Sequence, residues 1–299
     1  MISIVIPAYN RASSLQNCIQ SIIPQYYEGL EVIVIDDFST DGTRLYLDEL
    51  NPYTFIKILY NKENRGVNYS RNRGIEASEG KFILFLDSDD ALLPQSLNRI
   101  KKTIEENCDT THFLFVIADK AKHIKNITGP ACILYQDWIS GTVSGDFTHV
   151  VLARTMKKYL FFEEFRMFEN LNWLRVKKET SPQLLIPVVT TQCQRGRGDS
   201  LTRSAKLTNG SAIRSKFESQ KLYYSLYHTD LKRYNPGSLS YKLIEAVLLG
   251  VACNQKRESR MLLHYAGKWY IRIAGQMASI LPSFLVKFAI TTYSGLKGT

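Results

Sequence analysis

Residues 81–91 read KFILFLDSDDA: five consecutive apolar side chains, Phe82 to Leu86, run straight into the carboxylates of Asp87, Asp89 and Asp90. A short unbroken apolar run bounded by turn residues suits a strand buried on both faces. Like charges crowded just beyond such a strand are unfavourable unless a cation or hydrogen-bond donors compensate them. The stretch therefore predicts a buried strand that ends in a binding site.

The flanking sequence repeats the pattern. ISIVIPAY, EVIVIDD and IKILYN read as buried strands before it, and THFLFVIA as another after it. Between them lie helical segments: SSLQNCIQSIIPQ with Leu15, Ile19, Ile22 and Ile23 at helical spacing and a capping box of Ser13 and Gln16; STDGTRLYLDEL; GVNYSRNRGIEASEG, stopping at Gly80; and LPQSLNRIKKTIEEN, with Pro94 at its start. Continuous apolar strands alternating with helices predict an α/β fold, a mostly parallel Rossmann-like sheet flanked by helices, with ligands at the carboxyl ends of the strands. From about residue 120 to 180 the alternation fades; KKYLFFEEFRMFENLNWLRVKKE reads as helical in its latter part and QLLIPVVTTQCQ as a strand. Beyond Asn209 the chain reads helical to its end.

The 299 residues are 44% hydrophobic and 22% charged, with no low-complexity or repeat period, which excludes disordered and fibrous classes. Five single cysteines, Cys18, Cys108, Cys132, Cys193 and Cys253, form no CxxC pair, which argues for reduced thiols in a cytosolic setting and against a zinc site. MISIVIPAYN has neither the basic region nor the long apolar stretch of a signal peptide, so the sequons at Asn68, Asn126 and Asn209 read as chance. A formal charge of +10 favours an anionic partner: nucleic acid, phospholipid headgroups or a phosphorylated substrate. The first strand is followed by no GxGxxG, and no GxxxxGK[ST], HExxH or GxSxG occurs, which disfavours dinucleotide, P-loop, zincin and α/β-hydrolase chemistry.

Three constellations remain. Aspartates at i and i+2 in a turn after a strand, Asp87 and Asp89, can present oxygens to one hard cation that keeps its other positions for water and phosphate; they are equally readable as a solvated acidic turn. In IDDFSTDGT the residues Asp36, Ser39 and Asp41 are loop and cap residues, or a carboxylate here binds a base or ribose. In NRGVNYSRNRG, Arg65, Arg71 and Arg73 surround a helix start, either as a phosphate site or as a solvated basic face.

Taken in order, SIVIPAYNR, VIVIDDFSTDGT, NRGVNYSRNRGI and ILFLDSDD resemble the family 2 glycosyltransferases with the GT-A fold, of the bacterial surface-polysaccharide type, over roughly residues 1–115. The resemblance implies that Pro7, Tyr9 and Asp37 hold the uracil and ribose of a nucleotide-sugar, with Asp37 accepting the uracil N–H. It places Arg71 near the base and diphosphate. Asp87, Ser88 and Asp89 form the DxD motif, in which Asp87 and Asp89 contact ribose and hold Mn²⁺ or Mg²⁺. Such enzymes invert the anomeric centre, which needs a base on the acceptor hydroxyl. In MFENLNW, Glu169 matches the family's Glu, whereas Asn170 stands where an Asp is usual, and an amide cannot act as a base. Glu163, Glu164 and Asp146 are alternative bases, and Glu169 is otherwise a helix residue pairing with Arg166 or Arg175. The loop RGRGDSLTR resembles the segment that closes over the donor diphosphate, through Arg195 or Arg197.

These readings predict a GT-A catalytic domain over 1–205, divided into a nucleotide-sugar half, 1–115, and an acceptor half, 116–205, followed by a helical region over 206–299. From Gln255 to Thr299 seven Lys or Arg face one Glu, and the apolar stretch from Met277 to Tyr293 is broken by Pro282 and Lys287. That is shorter than the ~20 residues a span needs, so the tail reads as a packed helix pair, a dimer contact, or a peripheral contact with an anionic membrane. The expected activity is a hexosyl- or N-acetylhexosaminyltransferase using a UDP-sugar and a polyprenyl-diphosphate-linked saccharide, at the inner face of the cell membrane, with no nucleic-acid partner. The alternatives are a nucleotide-sugar-binding protein without turnover and a nucleotidylyltransferase. The latter would want a Gly-rich, Lys/Arg-bearing loop after the first strand, and PAYNRASS is not one.

Overall fold

The computed structural model describes residues 1–118, 127–165, 168–193 and 210–296. Two compact units divide the chain, one formed by 1–138 with 143–195 and the other by 139–142 with 196–299.

The first unit holds strands β1 (Ile2–Ala8), β2 (Leu30–Asp36), β3 (Ile56–Tyr60), β4 (Phe82–Phe85), β5 (Asp90–Leu92), β6 (His112–Ile117), β7 (Ala131–Ile133), β8 (Phe147–Leu152) and β9 (Gln183–Cys193). Its helices are α1 (Ala12–Ile22), α2 (Thr43–Glu49), α3 (Val67–Ala77), α4 (Ser96–Glu106), α6 (Ala153–Lys158) and α7 (Asn170–Glu179), with the short α5 (Tyr135–Ser140) at the division between units. The sheet order is β3-β2-β1-β4-β8-β6-β9-β5, and β7 also pairs with β9. Strands β3, β2, β1 and β4 are parallel neighbours, as the apolar runs predict.

Beyond them the sheet is mixed. THFLFVIA does form β6, but β8 lies between it and β4, antiparallel to both. The sequence does not announce β8, because Thr148 and His149 interrupt its apolar run although all six of its residues are buried. The capping box expected at Ser13 is also absent: α1 begins at Ala12, and its own N-terminal residue contributes no side-chain cap. The free N–H groups are met from the next loop instead, Arg11 N donating to Thr43 Oγ1 at 2.9 Å and Ala12 N to Asp41 Oδ2 at 3.3 Å.

Both sheet faces are covered, which explains the unbroken apolar strands. Ile4, Ile6, Val32 and Leu84 pack with Leu15, Ile19 and Ile22 of α1 on one side. Val5, Ile33, Ile35 and Ile83 pack with Ile75 of α3, Met156 of α6 and Trp173 of α7 on the other. Gly74 lets α3 lie close to the sheet, since a Cβ there would strike Val5 Cγ1 and fall 2.9 Å from Ile35 Cδ1.

Under α7 the sheet carries two buried histidines. Thr180 Oγ1 donates to Val176 O at 2.8 Å, so it accepts from His112 Nδ1 at 2.9 Å, and His112 Nε2 in turn accepts from His149 Nδ1 at 2.9 Å. The His149 ring stacks on Trp173 at 4.0 Å. This chain needs both rings neutral. Burial first, then the charge of Lys177, pushes His112 down to about 3. His149 is held well below its ordinary value by burial and by His112, Lys177 and Arg71. Lys177 sits 3.4 Å over the Trp138 ring, and burial pushes it down to about 7 against the pull of Asp146.

The second unit is helical: α8 (Gly210–Tyr234), α9 (Pro236–Ala252), α10 (Lys256–Leu262), α11 (Trp269–Ile280) and α12 (Ser283–Leu296). Asn235 caps α9 by accepting from Ser238 N at 3.1 Å, with Pro236 at the first helical position. Helix α9 is central, its Leu243, Val247 and Val251 fully buried among the others.

Gly74→Ala is expected to cost about 1–3 kcal/mol, because two β-branched core side chains must move; thermal denaturation measures it. The histidine pair sets a pH dependence. Below the ordinary histidine value of 6.5 the unfolded chain takes up protons that the folded His112 refuses down to about 3. Stability therefore falls as pH drops below 6.5, and His149→Phe should make that slope shallower in melting curves taken across the range.

Candidate active site

The register puts Ala8 opposite Asp36, and Asp36 opposite Tyr60, in one row at the carboxyl ends of β1, β2 and β3. Val5 pairs with Phe85, and Leu86 N donates to Val5 O at 3.2 Å, so β4 runs out onto the same rim with Asp87 at its tip. Pro7 is buried within β1 and Tyr9 is exposed just beyond it.

Two neighbouring loops, after β1 and after β2, are tied together. Asn10 N donates to Ser39 Oγ at 2.9 Å, and Thr40 N donates to Asn10 Oδ1 at 2.8 Å. Asp36 accepts from Ser39 N at 3.1 Å and Arg44 Nε at 2.8 Å, and Asp41 accepts from Thr43 N at 2.9 Å. Asp36, Ser39 and Asp41 are thus loop and cap residues, the first of the two readings open for them. Phe38 is held in the left-handed region with φ 67° and exposes its ring, a conformation unusual for a bulky residue. No sequence signal marked it.

Asp37 is buried, yet three donors converge on it: Asn61 Nδ2 at 2.7 Å, Arg65 N at 3.0 Å and Gly66 N at 2.7 Å. A carboxylate has about four acceptor positions, so roughly one remains for a ligand. Arg73 is structural, donating to Tyr60 O at 2.8 Å and to Asn61 Oδ1. Arg65 lies over the Tyr69 ring at 3.8 Å and pairs with Glu163 at 3.1 Å.

Helix α3 joins the site's two halves through residues at i, i+3 and i+4, which share one face. Asn68 Nδ2 donates to the carbonyls of Phe162 and Phe165, each at 2.9 Å. Asn72 donates to Phe161 O at 2.9 Å and accepts from Phe161 N at 2.8 Å, fixing the segment that leads to α7. Between them Arg71, almost wholly buried, donates to Asp87 Oδ1 at 2.8 Å and lies 2.6 Å from Glu169 Oε1. Burial disfavours its charge, but Glu169 and then Asp87 outweigh that and raise its pKa. Its Nε has no partner among the described residues.

Glu169 sits at the N-terminal boundary of α7, one-third exposed, with its side chain on Arg71 rather than capping the helix or reaching Arg175. Arg175 instead donates to Leu160 O at 2.6 Å. Asn170, Glu164 and Asp146 are exposed, while Glu163 is engaged by Arg65 and Asn72. Arg166, Arg195 and Arg197 lie outside the described residues.

The acidic turn packs on α1. Ser88 is buried, Asp87 has a half-exposed carboxylate, and Asp89 is intermediate. Cys18 Sγ lies 3.7 Å from Asp87 O; burial and the charges of Asp90, Asp87 and Asp89 push its thiol up, so it stays protonated and inert. No group of three or more metal-ligating side chains occurs among the described residues. Two aspartates on a partly exposed turn fit a hard divalent ion only if phosphate oxygens and water complete its shell, as Mg²⁺ and Mn²⁺ sites on diphosphates do.

The chain is 25% identical over 252 residues to the UDP-Glc:alpha-D-GlcNAc-diphosphoundecaprenol beta-1,3-glucosyltransferase WfgD of Escherichia coli, covering 84% of this chain and 94% of that one. It resembles the crystal structure of S. aureus TarS 1-349 in complex with UDP-GlcNAc with a TM-score of 0.63 at 16% identity, over 98% of this chain and 92% of that one. The mannosyltransferase PcManGT of Pyrobaculum calidifontis, in complex with GDP-Man and Mn2+, matches with a TM-score of 0.55 at 16% identity, over 99% of this chain and 86% of that one. At those identities the two structures establish a shared GT-A fold. The family model described as Glycosyl transferase family 2 matches residues 3–154, half of the chain, with all three strand-end constellations inside it; the chain belongs to the family 2 glycosyltransferases.

Proposed function

We propose that the chain moves a sugar, with inversion, from a UDP-sugar to a saccharide carried on a polyprenyl diphosphate during surface-polysaccharide assembly. The observation that carries this reading is Arg71, which pairs at once with the strand-end Asp87 and the helix-entry Glu169. One buried guanidinium thereby ties a donor-side carboxylate to a candidate base. The relative acting on a diphosphoundecaprenol-linked sugar supports the acceptor class, and the fold shared with a UDP-GlcNAc complex supports the donor.

In this reading Asp37 takes the uracil N–H at its remaining acceptor position, and Pro7, Tyr9 and the exposed ring of Phe38 border the base. Ser88 and Asp87 lie along the ribose and diphosphate, with Arg195 as a further expected contact. Asp89 and Asp87 would hold Mn²⁺ or Mg²⁺, which when bound supplies positive charge to the departing diphosphate. Glu169 accepts the proton of the acceptor hydroxyl as its oxygen attacks the anomeric carbon on the face away from UDP. The anomeric C–O bond breaks, and its electron pair leaves on the β-phosphate. Arg71 positions Glu169 and Asp87 for this step. Residues 1–205 would form the catalytic domain and 206–299 an appended helical region, working at the cytoplasmic face of the membrane.

Calorimetric titration of UDP is expected to show binding that strengthens with Mn²⁺, a strengthening that is lost in Asp89→Ala. Absence of binding to the wild type in both conditions would overturn the UDP assignment. Glu169→Gln should keep UDP binding while turnover falls by about 10²–10⁴-fold, the range for a general base. Glu163→Gln should keep most turnover; a larger loss there than in Glu169→Gln would reassign the base.

A further inference from the structure

Helices α11 and α12 are amphipathic the wrong way round for a soluble helix bundle. On α11, Ile271, Gly275 and Ser279 are buried. The apolar Trp269, Tyr270, Ile273, Met277 and Ile280 are all exposed, Trp269 to 73%. At about 100° per residue these five fall within an arc of about 100°, roughly opposite the buried three. Helix α12 repeats the arrangement: Val286 is buried, while Phe284 at 71% and Phe288 at 69% are exposed on the opposite side and Leu285 is exposed beside them. Each helix therefore packs one face and holds out a second apolar face.

The surroundings of these faces are basic. Lys268, Arg272 and Lys287 flank them and Lys256 and Arg257 precede them in sequence, against the single acid Glu258, which is already paired with Lys221. By helical spacing, Arg272 and Lys287 stand on the same shoulder of their respective apolar arcs.

Among the described residues no single helix is long and apolar enough to cross a membrane; α11 and Ser283–Thr292 pass such a test only together, bent by 102°. Because the far side of each helix is packed in its own unit, the exposed arcs suit shallow burial in an interface rather than a span. A second copy of the chain fits less well, since a two-fold contact through this face would set the same uncompensated basic flanks against each other.

We infer that the exposed faces of α11 and α12 form a docking surface for an anionic phospholipid bilayer, with Trp269, Ile273, Phe284 and Phe288 entering the headgroup boundary and the flanking Lys and Arg meeting lipid phosphates. This deepens the lipid-linked acceptor reading, but it rests on these helices alone and is tested without donor or acceptor.

The test is co-sedimentation of the full chain with vesicles of phosphatidylcholine, with and without phosphatidylglycerol, at low and raised salt. Binding is expected to require phosphatidylglycerol and to weaken with salt. The variant carrying Trp269→Ser, Ile273→Ser, Phe284→Ser and Phe288→Ser should keep its melting temperature and UDP affinity while its bound-to-free ratio falls by at least about tenfold, given the apolar surface withdrawn. Failure of the wild type to bind phosphatidylglycerol vesicles overturns the proposal, as does binding that the four substitutions leave unchanged. So does sedimentation velocity showing a dimer that the same substitutions dissolve, because the face would then belong to a second copy.

Discussion

A single buried guanidinium organises the sheet-containing unit. Arg71 cannot shed its charge, and burying a cation is unfavourable unless carboxylates and hydrogen bonds surround it. Asp87 reaches it from the tip of β4 and Glu169 from the entry to α7, at 2.8 and 2.6 Å. The two carboxylates lie 82 positions apart in a 299-residue chain, and both meet the charge between them. Asn68, nearly a turn of α3 before Arg71, and Asn72, the residue after it, clamp the backbone of the segment leading to Glu169, so the ion pair has little freedom to drift.

The rim on which this sits follows from the parallel register of β1, β2 and β4. Their apolar side chains are buried on both faces, so polar groups can gather only where the strands end. There the loops are held by side chains rather than by regular structure: Asn10 and Ser39 across the first two loops, Asp36 on Arg44, Asp41 on Thr43. Three donors saturate most of Asp37. A ligand binding at this rim would meet loops already held in place, which lowers the ordering cost of binding. The histidine pair under α7 serves stability in the same way, a directional chain of neutral donors ending on the backbone carbonyl of Val176.

The helical unit follows another logic. Helix α9 is apolar around most of its circumference and is enclosed by its neighbours, whereas α11 and α12 pack one side and leave the other apolar side in water. Exposure of that extent, with rings at the surface and basic residues at the margins, marks a surface meant to be covered.

Much of the first unit was legible in the chain itself. The buried strands, the helices between them and the gathering of Asp37, Asp87 and Asp89 at strand ends all follow from local periodicity, which depends on residues near in sequence. The second constraint, long-range pairing, was not legible. Strand β8 was missed because His149 looks polar until His112, 37 residues away, supplies its partner. The expected cap of α1 failed because its donors are met by Asp41 and Thr43, at the entry to α2. The sequence by itself determined the strand and helix rhythm and the residue types at the rim. Tertiary structure alone decided that Glu169 answers to Arg71 and not to its helix neighbour Arg175, because a buried charge selects whichever carboxylate the fold brings within reach.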